Sequence, residues 1–184
     1  MKREYQMKTL LVASIACLGL VAGTAIADSG FSLGGSVGYA KIKDSDSGLT
    51  FDENDVGFKG FGTYMFNSGI GIEGGYVDFG KPSADIAGTS VGIDASGWNL
   101  YAVGNLPLAE SFDLFAKAGV IKWDADVFLD GINIENDNGN DLALGLGARW
   151  NIGNSFGIRS EVDWYDISDA DSVYMVSVGI EFRF

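Results

Sequence analysis

Ten charged residues recur at every second position within runs that are otherwise apolar or small. Lys59, Lys117, Arg149, Arg159 and Arg183 are basic, and Glu73, Asp113, Glu161, Asp163 and Glu181 are acidic. Carboxylates beside guanidinium and ammonium groups can exchange protons, filter ions or neutralise one another. Equal numbers of each sign favour mutual neutralisation, a paired network that holds a fold closed, over a selectivity filter. The 184-residue chain has no histidine, which excludes schemes needing an imidazole base and zinc sites built on histidine. Serines such as Ser160 therefore lack the base that a hydrolytic triad supplies. No catalytic, cofactor-binding or metal-ligating residue is assigned.

Acids also cluster outside these runs. Asp44, Asp46, Asp52, Glu53 and Asp55 form one group, and Asp124, Asp126, Asp130, Glu135, Asp137 and Asp141 another. Oxygen-rich loops can bind Ca²⁺ or Mg²⁺ weakly, but Asp44 to Asp55 is not an EF-hand, because Leu49 occupies the glycine position and Asp55 the final glutamate. Solvated, mutually repelling acids are the simpler account. Gly69-x-Gly71-x-x-Gly74 fits a dinucleotide fingerprint, yet it opens a strand pattern where that motif needs a helix. A formal charge of −13 opposes any electrostatic grip on nucleic acid.

Placing the ten charges on one face requires a period of two, and that is the dominant signal from Phe31 onward. The clearest rows are Leu142 to Ile152, Phe156 to Tyr165, and Tyr174, Val176, Val178, Ile180, Phe182 and Phe184, with only Met175 blurring the last. Five further segments, at about 30–40, 56–66, 69–79, 97–106 and 112–123, bring the expected strands to eight. Short turns fall at Asn67–Gly69, Pro107–Ser111 and Gly153–Ser155. Longer loops fall at Lys41–Asp55, Gly80–Ser96, Asp124–Asp141 and Asp166–Asp171. Alternating short and long connections between an even number of strands predict an all-β, eight-stranded antiparallel up-and-down barrel.

The composition of the second face decides which way the barrel is turned. Ser32, Gly34, Ser36, Gly38, Gly71, Gly75, Gly119, Ala143, Gly145 and Gly147 are small, as a narrow eight-stranded interior demands. The apolar rows then face outward, into lipid. Their aromatic residues sort by height, with Phe31, Phe66, Phe112, Trp150, Phe156, Phe182 and Phe184 toward the short turns and Tyr39, Tyr76, Trp98, Trp164 and Tyr174 toward the loops. Two such girdles are expected of a transmembrane barrel.

The N-terminal segment is an address. Lys2, Arg3 and Lys8 precede an uncharged run that closes on Ala25-Ile26-Ala27, the pattern of a secretory signal cleaved after Ala27. Met7 serves equally well as the start. The expected division is therefore residues 1–27 as signal peptide and 28–184 as barrel. Cys17, the single cysteine, lies in the removed part, and Ser14 occupies a position where a lipoprotein signal has a branched aliphatic residue. The mature chain is expected to be free of disulfides.

Gly57-Phe58-Lys59-Gly60-Phe61-Gly62-Thr63-Tyr64-Met65-Phe66-Asn67, with Ile72-Glu73-Gly74-Gly75-Tyr76-Val77-Asp78-Phe79-Gly80, resembles the OmpA-type and OmpX-type small outer-membrane barrel family. The resemblance continues through Leu106-Pro107, Phe112-Asp113-Leu114-Phe115, Trp123-Asp124-Ala125-Asp126 and Arg159-Ser160-Glu161. It implies a Gram-negative outer membrane location, contact with lipids including lipopolysaccharide, and periplasmic turns with external loops. The row Tyr174, Val176, Val178, Ile180, Phe182, Phe184 resembles the family's terminal signal for the outer-membrane assembly machinery. The sequence ends at its last strand, so the wall-binding domain of longer members is not carried over. In the family a glutamate and basic partners form an internal gate. Glu73 and Arg159 match two positions, but Val103 replaces the lysine and Arg149 stands where a second glutamate is expected. A different pairing, Glu73 with Arg149 or Arg159, is open to this sequence. The function implied is a non-enzymatic barrel serving envelope integrity or surface interaction, with a small pore as the alternative. Lipid-modifying barrel enzymes of the kind known use a histidine, which this chain lacks.

Overall fold

The computed structural model describes residues 30–44, 51–81, 83–86, 89–129, 132–167 and 172–184. The expected signal segment, with Cys17 and Ala27, lies outside them, as do Asp46 and Asp130. The described elements are all strands: β1 (Gly30–Asp44), β2 (Phe51–Met65), β3 (Ile70–Asp78), β4 (Ser83–Ile86), β5 (Thr89–Ala109), β6 (Phe112–Leu129), β7 (Ile132–Ile152), β8 (Phe156–Tyr165) and β9 (Ser172–Arg183). Eight of them close a ring through antiparallel pairs, β3-β2-β1-β9-β8-β7-β6-β5 and back to β3, while β4 pairs only with β5.

The stagger of the ring follows from its register. Cross-strand partners lead from Glu73 through Tyr101, Gly119, Ala143, Tyr165, Val173 and Ile42 to Glu53 on β2. The partner of Glu73 on β2 is Thr63, ten residues along the strand from Glu53. Closing eight strands with such an offset requires them to tilt by roughly 35–45° from the barrel axis.

The outward rows are those the alternation predicts. Leu33, Tyr39, Phe58, Leu100, Leu146, Trp150, Val178 and Ile180 are all exposed, and their strand neighbours point into the lumen. Aromatic contacts gather at two heights: Phe31–Phe184, Phe156–Phe182 and Phe182–Phe184 at the turn end, and Tyr76–Trp98 at the loop end.

The connections differ from expectation. Most of the three longest loops is paired strand: β1 and β2 pair out to Asp44 and Phe51, and β6 and β7 pair out to Leu129 and Ile132. Within Gly80–Ser96 the short β4 folds against the start of β5. Above the bilayer both faces of a hairpin meet water, so strands there lose the apolar-polar contrast by which a sequence reveals them. At the turn end, β5 runs through Pro107 with a register shift before Ala109, so the turn narrows to Glu110–Ser111. The Asn67 side-chain oxygen accepts hydrogen bonds from the Gly69 and Ile70 amides, and Gly153 turns β7 into β8 at φ 62°.

Candidate functional site in the barrel lumen

All ten alternating charges project inward, and every one except Arg183 is buried. Six form a central tier. Arg159 donates to Glu73 at 2.6 and 3.1 Å and to Glu161 at 2.8 and 2.9 Å. Lys117 lies 3.0 Å from Glu73, 3.2 Å from Glu161 and 3.0 Å from Asp163, and Lys59 pairs with Glu161 and Asp163. Three cations and three carboxylates thus neutralise one another. Thr63 adds a hydroxyl hydrogen bond to Glu73 at 2.9 Å.

Aromatic rings pack this tier. The Arg159 guanidinium is held between Phe61 and Phe115, 4.4 and 4.2 Å from their centroids, and the Lys117 ammonium sits 4.5 Å over the Tyr101 ring. Inward glycines make the room. A Cβ at Gly34 would collide with the Phe61 ring, one at Gly147 with the Phe115 ring, and one at Gly145 would come within 2.5 Å of Asp163 and Lys117.

A second tier lies toward the turns. Arg149 approaches Glu181 at 3.3 Å and Asp113 at 3.5 Å, and Glu181 also reaches Arg159 at 3.5 Å. Arg183 differs from the other four cations in bonding to an amide oxygen, that of Asn151, whose nitrogen donates to Asp113 at 3.0 Å. Glu73 therefore takes Arg159, and Arg149 belongs to the turn-side tier. Val103, which carries no charge, is the cross-strand partner of Lys117, so the adjacent strand supplies the ammonium that position 103 lacks.

Toward the loops lies a third tier that strict alternation does not reveal. Val77, Phe79, Ile121, Trp123, Ala143, Tyr165, Val173 and Met175 are buried together. The available signal was local failure of the alternation: Val77 follows Tyr76, Ile121 follows Val120, and Met175 follows Tyr174, so both faces are apolar there.

Outside the membrane, Lys81 pairs with Asp94 at 2.7 Å, and that hydrogen-bonded carboxylate holds the ammonium above its ordinary pKa. Among the described residues no group of three or more acids is arranged to hold a metal ion. Ser160 is exposed on the outward face of β8. The outward row from Tyr174 to Phe184 lies on β9 and the residue after it.

The family profile of the outer membrane protein beta-barrel domain matches residues 10–184. Outer membrane protein A of Escherichia coli O157:H7 is 26% identical over 190 residues, covering 96% of this chain and 55% of that protein. The chain thus spans about half the length of the curated relatives it matches. Among solved structures, the Yersinia pestis attachment invasion locus protein Ail, crystallised with the heparin analogue sucrose octasulfate, aligns with a TM-score of 0.58 at 22% identity, over 84% of this chain and 99% of that one. Neisserial surface protein A aligns with a TM-score of 0.67 at 14% identity, over 84% and 97%. At these identities the two structures share the fold.

Proposed function

Because this chain belongs to the outer membrane protein beta-barrel domain family and lies in the outer membrane of a Gram-negative cell, we propose that it is a non-enzymatic integral barrel serving envelope integrity or surface interaction, its lumen closed. The observation that carries this reading is the neutral central tier, three cations on three carboxylates with Phe61, Phe115 and Tyr101 filling the space between. Packing of this kind supports a closed lumen, and low local polarity strengthens the pairs that would close it. No histidine is present to activate a serine, and Ser160 faces lipid.

Outer-membrane lipids, lipopolysaccharide among them, would meet the outward rows, and the assembly machinery would read the row ending in Phe184. A charge of −13 opposes a polyanionic ligand such as the one bound to Ail, so the surface partner is better sought among neutral or cationic groups. Divalent cations would screen the acidic hairpins weakly. Residues 1–27 would be removed on export, which the mass of the membrane-inserted form would establish.

Single-channel recording of refolded protein in planar bilayers tests the closed lumen. Little or no conductance is expected. Large, stable, long-lived openings would replace this reading with that of a small pore.

A further inference from the structure

The apolar tier is placed where it could close the barrel by itself. On each strand that contributes both a residue of this apolar tier and a charge of either charged tier, the apolar residue lies on the loop side of the charged one. Val77 lies beyond Glu73 on β3, Ile121 beyond Lys117 on β6, Tyr165 beyond Asp163 on β8, and Met175 loopward of Glu181 on β9. A ring of buried apolar side chains across a narrow pore excludes water, and with it hydrated ions.

Phe79 caps this ring. It follows the last residue of β3, is buried, and meets the edge of Tyr165 with ring centroids 5.1 Å apart and planes at 88°. Its amide donates to the Ala95 carbonyl at 2.9 Å. The next two residues are tied down from β2 and β3. The Lys81 amide donates to the Asp55 carboxylate at 2.7 Å, and the Gly80 amide to that of Asp78 at 2.8 Å. The other Asp55 oxygen accepts from the Val56 amide at 2.7 Å, so the carboxylate clips the strap to β2. Gly80 has φ 81°, and a Cβ there would lie 2.7 Å from the Val56 carbonyl oxygen, so only glycine lets the strap lie this close. Gly57 likewise leaves space beneath it, where a Cβ would come 3.1 Å from Met175 and 3.4 Å from Phe79.

We infer that Phe79–Lys81 is a lid latched by Asp55 over an apolar seal, and that this seal bars the lumen from the external side independently of the ion pairs. The inference rests on the closed-lumen reading and assigns the closure at the loop end to different residues.

Cysteine accessibility separates the two barriers. In the full chain with its single cysteine removed, Cys17→Ser, Ser177→Cys places a reporter on β9 between Met175 and Glu181. A membrane-impermeant cationic methanethiosulfonate is applied to reconstituted vesicles from either side. From the loop side, reaction is expected to be slow with the seal intact, and to accelerate at least tenfold with Asp55→Ala or Phe79→Gly. It should remain slow with Phe79→Leu and with the charge-neutral pair Glu73→Gln and Arg159→Met. Acceleration by that pair, with Asp55→Ala and Phe79→Gly without effect, would overturn the seal. Fast reaction from the turn side alone would sink closure by ion pairs and leave the seal standing. Fast loop-side reaction with every barrier intact would sink the seal.

Discussion

Glu73 and Arg159 stand four strands apart in either direction around the ring, so their two hydrogen bonds form a strut across its full diameter. Neighbouring strands are already joined by backbone bonds, whereas this pair ties opposite walls. Its loss therefore acts on the circular shape of the barrel as well as on local electrostatics. Because each partner is buried, removing either one leaves an uncompensated charge in a site that water does not reach.

The first prediction follows from that strut. Glu73→Gln and Arg159→Met should each lower the free energy of refolding into lipid vesicles by ~3–5 kcal/mol. The double variant should cost less than the two together by ~1–3 kcal/mol, because the second change removes the charge that the first stranded. Additive losses in urea titrations would show that the two residues do not act as a pair.

The outward face of the barrel was legible in the sequence because lipid imposes one chemistry on every second residue, as from Leu142 to Ile152. The members of the charge network were legible for the same reason. Their pairing was not, since it depends on how the strands are staggered. Lys117 serves Glu73 because it lies opposite Val103, and nothing in the linear order of those residues says so. The seal is masked in the sequence because an apolar inward residue beside an apolar outward one, as at Tyr174 and Met175, reads as noise in a period of two. The upper half of β7 was hidden because alternation breaks down in the run Glu135-Asn136-Asp137-Asn138-Gly139-Asn140-Asp141, where successive positions are polar or glycine.

The second prediction concerns Glu181. Arg149 and Arg159 are direct cross-strand partners, a placement in which like charges repel, and Glu181 approaches both. Glu181→Gln should cost ~1–3 kcal/mol of refolding free energy, in line with a charged group losing its buried partner. Adding Arg149→Met should restore at least half of the loss. A double variant less stable than Glu181→Gln alone would count against the bridging role.

Leu144 and Gly145 test the two faces of β7 at adjacent positions, since Leu144 faces out and a Cβ at Gly145 would press on Asp163 and Lys117. Near the bilayer midplane, Leu144→Arg should cost ~2–4 kcal/mol in vesicles. Gly145→Val should cost at least ~1–3 kcal/mol through overpacking, and should do so in detergent micelles as well. A cost below ~0.5 kcal/mol for Leu144→Arg in vesicles would contradict the assigned face.

Phe184 separates assembly from stability. Its ring is exposed, stacks on Phe31 at 5.9 Å and meets the edge of Phe182 at 4.9 Å. Aromatic contacts of this kind contribute ~0.5–1.5 kcal/mol each, and lipid would still cover the neighbouring rings after its removal. Phe184→Ala should therefore change refolding free energy in detergent by no more than ~1–2 kcal/mol. If the outward row ending at Phe184 is what the assembly machinery reads, the same substitution should reduce insertion into the outer membrane of cells severalfold, with precursor accumulating before insertion. Phe31→Ala removes the other half of the stack without touching the row on β9, so it should match Phe184→Ala in detergent and differ from it in cells. Equal insertion of both variants and the unaltered chain would remove the recognition role and leave Phe184 as one ring of the girdle.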